Sequence, residues 1–131
     1  MRVLLDSSGY SAFMRGHPAL KEALAEADTI CLSAIVLGEL RAGFLRGGKR
    51  SRNEAQLARF CDSPRVVVAP VDRDTAERYA VILSALRQAG TPIGTNDLWI
   101  ASTAMQHGLT VLTTDKDFLN VSQIIVRCFD P

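Results

Sequence analysis

Four acidic residues stand where a folded chain can turn them to chemistry: Asp6, Glu39, Asp97 and Asp115. Asp6 follows the short apolar run Val3-Leu4-Leu5, and Asp97 lies in the first turn of a nearly all-apolar helix that Thr95 and Asn96 can cap. Asp115 comes after the apolar stretch Leu109 to Leu112 and the pair Thr113-Thr114. Glu39 borders the buried face of a helix whose apolar positions include Ile35, Val36, Leu40 and Phe44. Two carboxylates ~4 Å apart repel by ~4 kcal/mol at an effective dielectric near 20, so four in one pocket need a cation or must hold protons. No histidine or cysteine lies near these acids in the sequence, and oxygen ligands alone suit Mg2+ or Mn2+ better than zinc. A hard ion in such a pocket binds a phosphodiester oxygen, acidifies water and stabilises the leaving oxygen. Metal-assisted phosphodiester hydrolysis is therefore the chemistry these residue types favour, with Ser8 and Thr114 placed to brace a carboxylate and Asp117 as a further acid.

Each acid also has a plain structural use. A first-turn Asp97 complements the helix dipole, a contribution of ~0.3–1 kcal/mol. Asp6, Asp115 and Asp117 suit turns, and Arg41 or Arg46 is near enough in sequence to pair with Glu39. It is the joint placement of the acids that argues for a site. Other polar residues carry less: Asp72 and Asp74 read as a helix cap, His107 as a helix C-terminal residue and His17 as a surface one. Trp99, Tyr10, Tyr79 and Phe118 read as core rather than base-stacking platforms.

The elements that must position the acids follow from the hydrophobic pattern. Val3 to Leu5 read as a buried first strand, and Thr29 to Leu32, Val66 to Val68, Leu109 to Leu112 and Ile124 to Val126 as four more, the run of three valines being buried. Between them lie helical segments: Ser8 to Arg15, one opened by His17-Pro18, one capped by Ser33 and reaching about Arg46, one bearing Leu57 and Phe60, and a long amphipathic one from Asp72 to Gly90. Arg46 to Arg52 reads as a glycine-broken basic loop, solvated or suited to a phosphate backbone or an acidic partner. Strands separated by helices of this length predict right-handed βαβ units. The fold class is α/β, a three-layer α/β/α sandwich on a mostly parallel sheet of about five strands. Asp6 and Asp115 then fall at strand carboxyl ends, where such sheets keep their ligand crevice.

The 131 residues form one expected domain, 1–131, long enough to bury a continuous core. Hydrophobic residues make up 47% and charged ones 22%, which excludes a disordered class. The net charge of +1 selects no partner, since a local patch can serve one. Cys31, Cys61 and Cys128 have neither a disulfide framework nor zinc spacing, and with no secretory or membrane-spanning stretch the expectation is a soluble, cytoplasmic protein.

Four runs carry a likeness: Leu4-Leu5-Asp6-Ser7-Ser8, Ser33 to Leu40 with Glu39, Pro92-Ile93-Gly94-Thr95-Asn96-Asp97-Leu98-Trp99-Ile100-Ala101, and Leu112-Thr113-Thr114-Asp115-Lys116-Asp117-Phe118. With them the chain resembles the PIN-domain ribonucleases, specifically the VapC toxins of bacterial toxin-antitoxin pairs. The resemblance implies a metal-dependent endoribonuclease that cuts single-stranded or looped RNA. Its acidic site would be formed by Asp6, Glu39, Asp97 and Asp115 around Mg2+ or Mn2+, with Asp117 assisting. It also implies a homodimer and a VapB-like antitoxin whose C-terminal segment wraps the toxin near the acidic groove, operator DNA being reached only through that partner. Family members commonly carry Thr then Asn or Ser after the first acid, where this chain has Ser7 and Ser8. Which of Asp115 and Asp117 is the closer ligand stays open, Asp115 being favoured because it follows the threonine pair.

Two other readings share the acids. An aspartyl-nucleophile phosphatase also starts from a carboxylate after the first strand, but such enzymes want a second Asp two residues on, where Ser8 stands. A receiver-like or degenerate interaction domain would keep the acidic pocket for binding alone.

Overall fold

Val3, Leu4 and Leu5 are fully buried because their strand has a neighbour on each edge and a helical layer on each face. The computed structural model describes all 131 residues. In chain order they form β1 (Arg2–Leu5), α1 (Ser7–Met14), α2 (Pro18–Glu26), β2 (Thr29–Ser33), α3 (Ala34–Arg46), α4 (Arg50–Cys61), β3 (Val66–Ala69), α5 (Arg73–Ala89), α6 (Thr95–His107), β4 (Thr110–Thr113) and β5 (Val126–Cys128). A 3-10 turn, Lys116–Asn120, links the last two strands. All strand pairs are parallel and the order is β3-β2-β1-β4-β5, the three-layer α/β/α arrangement expected from the alternation of elements.

That order puts the site in place. From β1 the chain winds outward through β2 to β3, then crosses back to β4 on the other side of β1. The direction of winding therefore reverses between β1 and β4, and the crevice opens outside their carboxyl ends. The register pairs Leu5 with Leu112, so the next residues, Asp6 and Thr113, leave the sheet side by side.

Local chemistry explains most boundaries. Asp6 caps α1 by accepting from the Gly9 amide, Ser33 caps α3 through Val36, and Asp72 and Thr75 form a reciprocal capping box on α5. Gly90 and Gly108 close α5 and α6 in the left-handed conformation, at φ 71° and 64°. Gly9 is required for another reason: a Cβ there would lie 2.7 Å from the Leu112 carbonyl oxygen and 2.8 Å from Leu5 Cδ1. The first turn of α1 thus rests directly on the β4 backbone.

The pleat sorts the helices. Ile30 and Val66 share one sheet face and line a cavity with Phe13, Leu24 and Phe60, from α1, α2 and α4. Cys31 and Val67 share the other face, where the end of α6 arrives with His107. On α6 lies α5, held by the Tyr79 and Trp99 rings stacked at 4.2 Å.

Four sequence expectations shift. The valine run is a strand but an edge one, with Val67 and Val68 47% and 46% exposed, because β3 has a neighbour on one side only. The last strand is Val126–Cys128, two residues later than Ile124 to Val126. The N-cap of α6 is Gly94, with no side-chain cap bond, so neither Thr95 nor Asn96 caps it. Arg50 to Arg52 begin α4, which leaves Gly47, Gly48 and Lys49 as the loop.

Candidate metal centre

Asp6 enters the crevice from the end of β1 and is 4% exposed. Its Oδ1 accepts from the Gly9 amide at 2.8 Å and its Oδ2 from the Thr113 hydroxyl at 2.7 Å, while Ser8 Oγ stands 3.0 Å from both oxygens. Burial nevertheless dominates and holds the Asp6 carboxyl above the usual range against the bonds from Thr113, Gly9 and Ser8, with the Asp115 charge adding to the rise.

Thr113 connects two acids. Its Oγ1 donates to Asp6 and accepts the Asp115 amide at 2.9 Å. Asp115 in turn accepts the Asp117 amide at 2.9 Å, an Asx turn that starts the 3-10 segment and brings both carboxylates into the crevice. The Thr114 amide donates to Ser8 Oγ at 3.1 Å and so ties this loop to α1.

Asp97 arrives from the first turn of α6. One carboxylate oxygen each from Asp97, Asp115 and Asp117 lie within 4.8 Å of one another. Asp97 is pushed up to about 7, first by burial and then by the charges of Asp115, Glu39, Asp6 and Asp117. The charges of Asp115, Glu39, Asp6 and Asp117 thus all act on Asp97, while the close carboxylate cluster takes in Asp97, Asp115 and Asp117 and leaves out Asp6 and Glu39. No basic side chain neutralises them: the ion pairs of the fold join Arg41 to Glu54, Arg78 to Glu77 and the N-terminal ammonium to Asp28.

Glu39, on the inner edge of α3, accepts from Ser7 Oγ at 2.6 Å and from Asn96 Nδ2 at 3.3 Å. Neither Arg41, paired at 3.2 Å with Glu54, nor Arg46 holds it. Beyond Glu39 and Asn96 a groove of about 530 Å³ runs along Ala34, Gly38 and Ala42 to Arg46.

The acids and Ser8 are legible in the sequence; Thr113, whose hydroxyl reaches Asp6 where Thr114 lends only its amide, and the contacts of Ser7 and Asn96 with Glu39 are not. Their signal was adjacency to an acid, which means nothing until register and helix packing say which side chains face inward.

The donor set fits a hard divalent ion: oxygen ligands only, a mutual repulsion that a dication relieves, and one carboxyl, Asp97, raised first by burial and then by its like-charged neighbours.

Comparison with known proteins points to one family. The PIN domain family matches residues 3–124. Ribonuclease VapC4 of Mycobacterium tuberculosis is 33% identical over 95 residues, covering 72% of this chain and 73% of that protein. Ribonuclease VapC5 of the same organism is 34% identical over 115 residues, covering 88% and 84%. Among solved structures, VapBC2 from Rickettsia felis bound to a DNA fragment from its promoter superposes with a TM-score of 0.86 at 29% identity, over 99% of this chain and 100% of that one.

Proposed function

The chain belongs to the PIN-domain family, among its VapC ribonucleases, and from that premise we propose that it is a toxin that cleaves RNA as a metal-dependent endonuclease. The observation that carries this reading is the meeting of Asp97, Asp115 and Asp117 within 4.8 Å, with no basic partner and with Asp97 pushed up to about 7 by burial and then by the surrounding acids. A site built for a buried ion pair would hold its cation in side chains. This one leaves the charge uncompensated, which suits an ion taken from solution.

In this reading Asp6, Glu39, Asp97 and Asp115 would hold Mg2+ or Mn2+, and Asp117, within 4.8 Å of Asp97 and Asp115, would assist them. A hard divalent ion there supplies neutralisation of the phosphodiester oxygens, acidification of water and stabilisation of the leaving oxygen. The residues themselves do the positioning. Thr113, Ser8 and the Gly9 amide fix Asp6, so its carboxylate orients as part of the pocket wall. The groove from Asn96 to Arg46 is the approach for an extended strand, which favours single-stranded or looped RNA over a duplex.

The partner in this reading is a VapB-like antitoxin, by likeness to the Rickettsia felis VapBC2 complex with promoter DNA; in the same reading the toxin is a homodimer that reaches operator DNA only through that partner. No helix is long and apolar enough to cross a membrane, consistent with a protein that meets RNA in the cytoplasm. The deciding experiment is cleavage of a labelled RNA by the purified chain with Mg2+ or Mn2+, against EDTA and against Asp97→Ala. Metal-dependent cutting lost in the variant is the expected result; cutting that persists in EDTA or in Asp97→Ala refutes it.

A further inference from the structure

Glu39 is the one acid of the centre that a helix interior delivers, on a side chain with three rotatable bonds, into a field of like charge. Left to itself it would swing away from Asp97 toward water. Two donors hold it in, one on each carboxylate oxygen: Ser7 Oγ at 2.6 Å on Oε1 and Asn96 Nδ2 at 3.3 Å on Oε2. Ser7 directly follows Asp6 and Asn96 directly precedes Asp97. Each donor thus belongs to the same turn of chain as another acid of the centre, at the first turns of α1 and α6.

We infer that Ser7 and Asn96 are positioning residues that clamp Glu39 and set its carboxylate at a fixed place relative to Asp6 and Asp97, so that metal affinity depends on both. This rests on the reading of the acids as a metal centre. Neither residue is a ligand. A carboxylate oxygen has two acceptor directions, so one on each oxygen stays free after the clamp bonds form. Ser8 and Thr113 serve Asp6 in the same manner, and the two sets share no atom. Asn96 also lines the groove, so the clamp sits where an entering strand passes.

The test is Mn2+ binding to the metal-stripped chain by calorimetry, read beside RNA cleavage. Ser7→Ala and Asn96→Ala should each weaken Mn2+ binding by about tenfold, the low end for loss of a group that orients a ligand. Ser7→Thr, which keeps the hydroxyl, should restore most of the affinity. In a Glu39→Gln background Ser7→Ala should add no further loss, because the clamp acts only through that carboxylate. Circular dichroism and melting show whether each variant is folded. Unchanged Mn2+ affinity in folded Ser7→Ala and Asn96→Ala, or an equal loss with Glu39→Gln, overturns the clamp. Clamp-dependent Mn2+ binding by a chain that cuts no RNA would instead overturn the nuclease reading and leave the clamp standing.

Discussion

The hydroxyl of Thr113 donates to Asp6 Oδ2 at 2.7 Å, joining residues 107 positions apart. The same oxygen accepts the Asp115 amide at 2.9 Å, so one hydroxyl sets the spacing between a buried acid on β1 and a loop acid after β4. Thr113 is itself fully buried. Thr113→Val keeps the shape and removes the donor, leaving an Asp6 oxygen short of a partner, at a cost of ~1–3 kcal/mol. A lower urea midpoint for Thr113→Val, with Thr113→Ser close to the parent, is the expected outcome; equal midpoints for all three would show that the bond contributes nothing.

Asp97→Asn should lower RNA cleavage by at least ~100-fold, on the scale of losing a charge-stabilising group from a catalytic centre. The fold should survive, since the substitution removes a carboxylate that burial and its acidic neighbours already disfavour. Single-turnover cleavage and a melting curve measure the two effects separately. Loss of both activity and fold would point instead to a structural acid.

The metal-free chain should lose stability as pH rises. Asp97 titrates near its ordinary value of 3.8 when unfolded and at about 7 when folded, so between these values the native state binds more protons and unfolding becomes easier with each step up. Asp6, also raised, acts in the same direction. For Asp97 the effect is ~1–2 kcal/mol once solvent screening is discounted. Melting in EDTA at pH 5, 6, 7 and 8 should give a falling series that Asp97→Asn flattens; a variant as steep as the parent would refute the assignment.

Added Mn2+ should reverse that fall, because a ligand that binds only the folded state stabilises it by about 2.7 kcal/mol at a hundred times its dissociation constant. The gain should be larger at pH 8 than at pH 5, where protons compete for Asp97. A shift independent of pH would place the ion elsewhere.

Gly9→Ala tests the contact of α1 with β4. A Cβ 2.7 Å from the Leu112 carbonyl oxygen forces the helix start away from the strand, an overpacking cost of ~1–3 kcal/mol. Ser8 and Asp6 ride on that turn, so Mn2+ affinity should fall along with the melting temperature. A stable Gly9→Ala with parental affinity would mean that the contact can relax without disturbing the centre.

Much of this was legible in the residues because it is local. Alternating apolar runs, Ser33 and Asp72 at helix starts, Gly90 and Gly108 at helix ends, and acids at element termini all act within a few positions of themselves, and from them the parallel sheet and the four acids could be read. What stayed hidden depends on partners far off in the chain. Val66-Val67-Val68 has the composition of a central strand, but exposure is decided by strand order, which leaves β3 at an edge. Ile124 and Val126 are equally apolar, and only pairing with β4 selects Val126–Cys128. The 3-10 turn brings a carboxylate oxygen of Asp117 within 4.8 Å of one on Asp97, a proximity that no local pattern shows. The partners of Asp6 and Glu39 were likewise settled by register and helix packing, because a hydroxyl or amide has no role until tertiary structure sets a charge within ~3 Å of it.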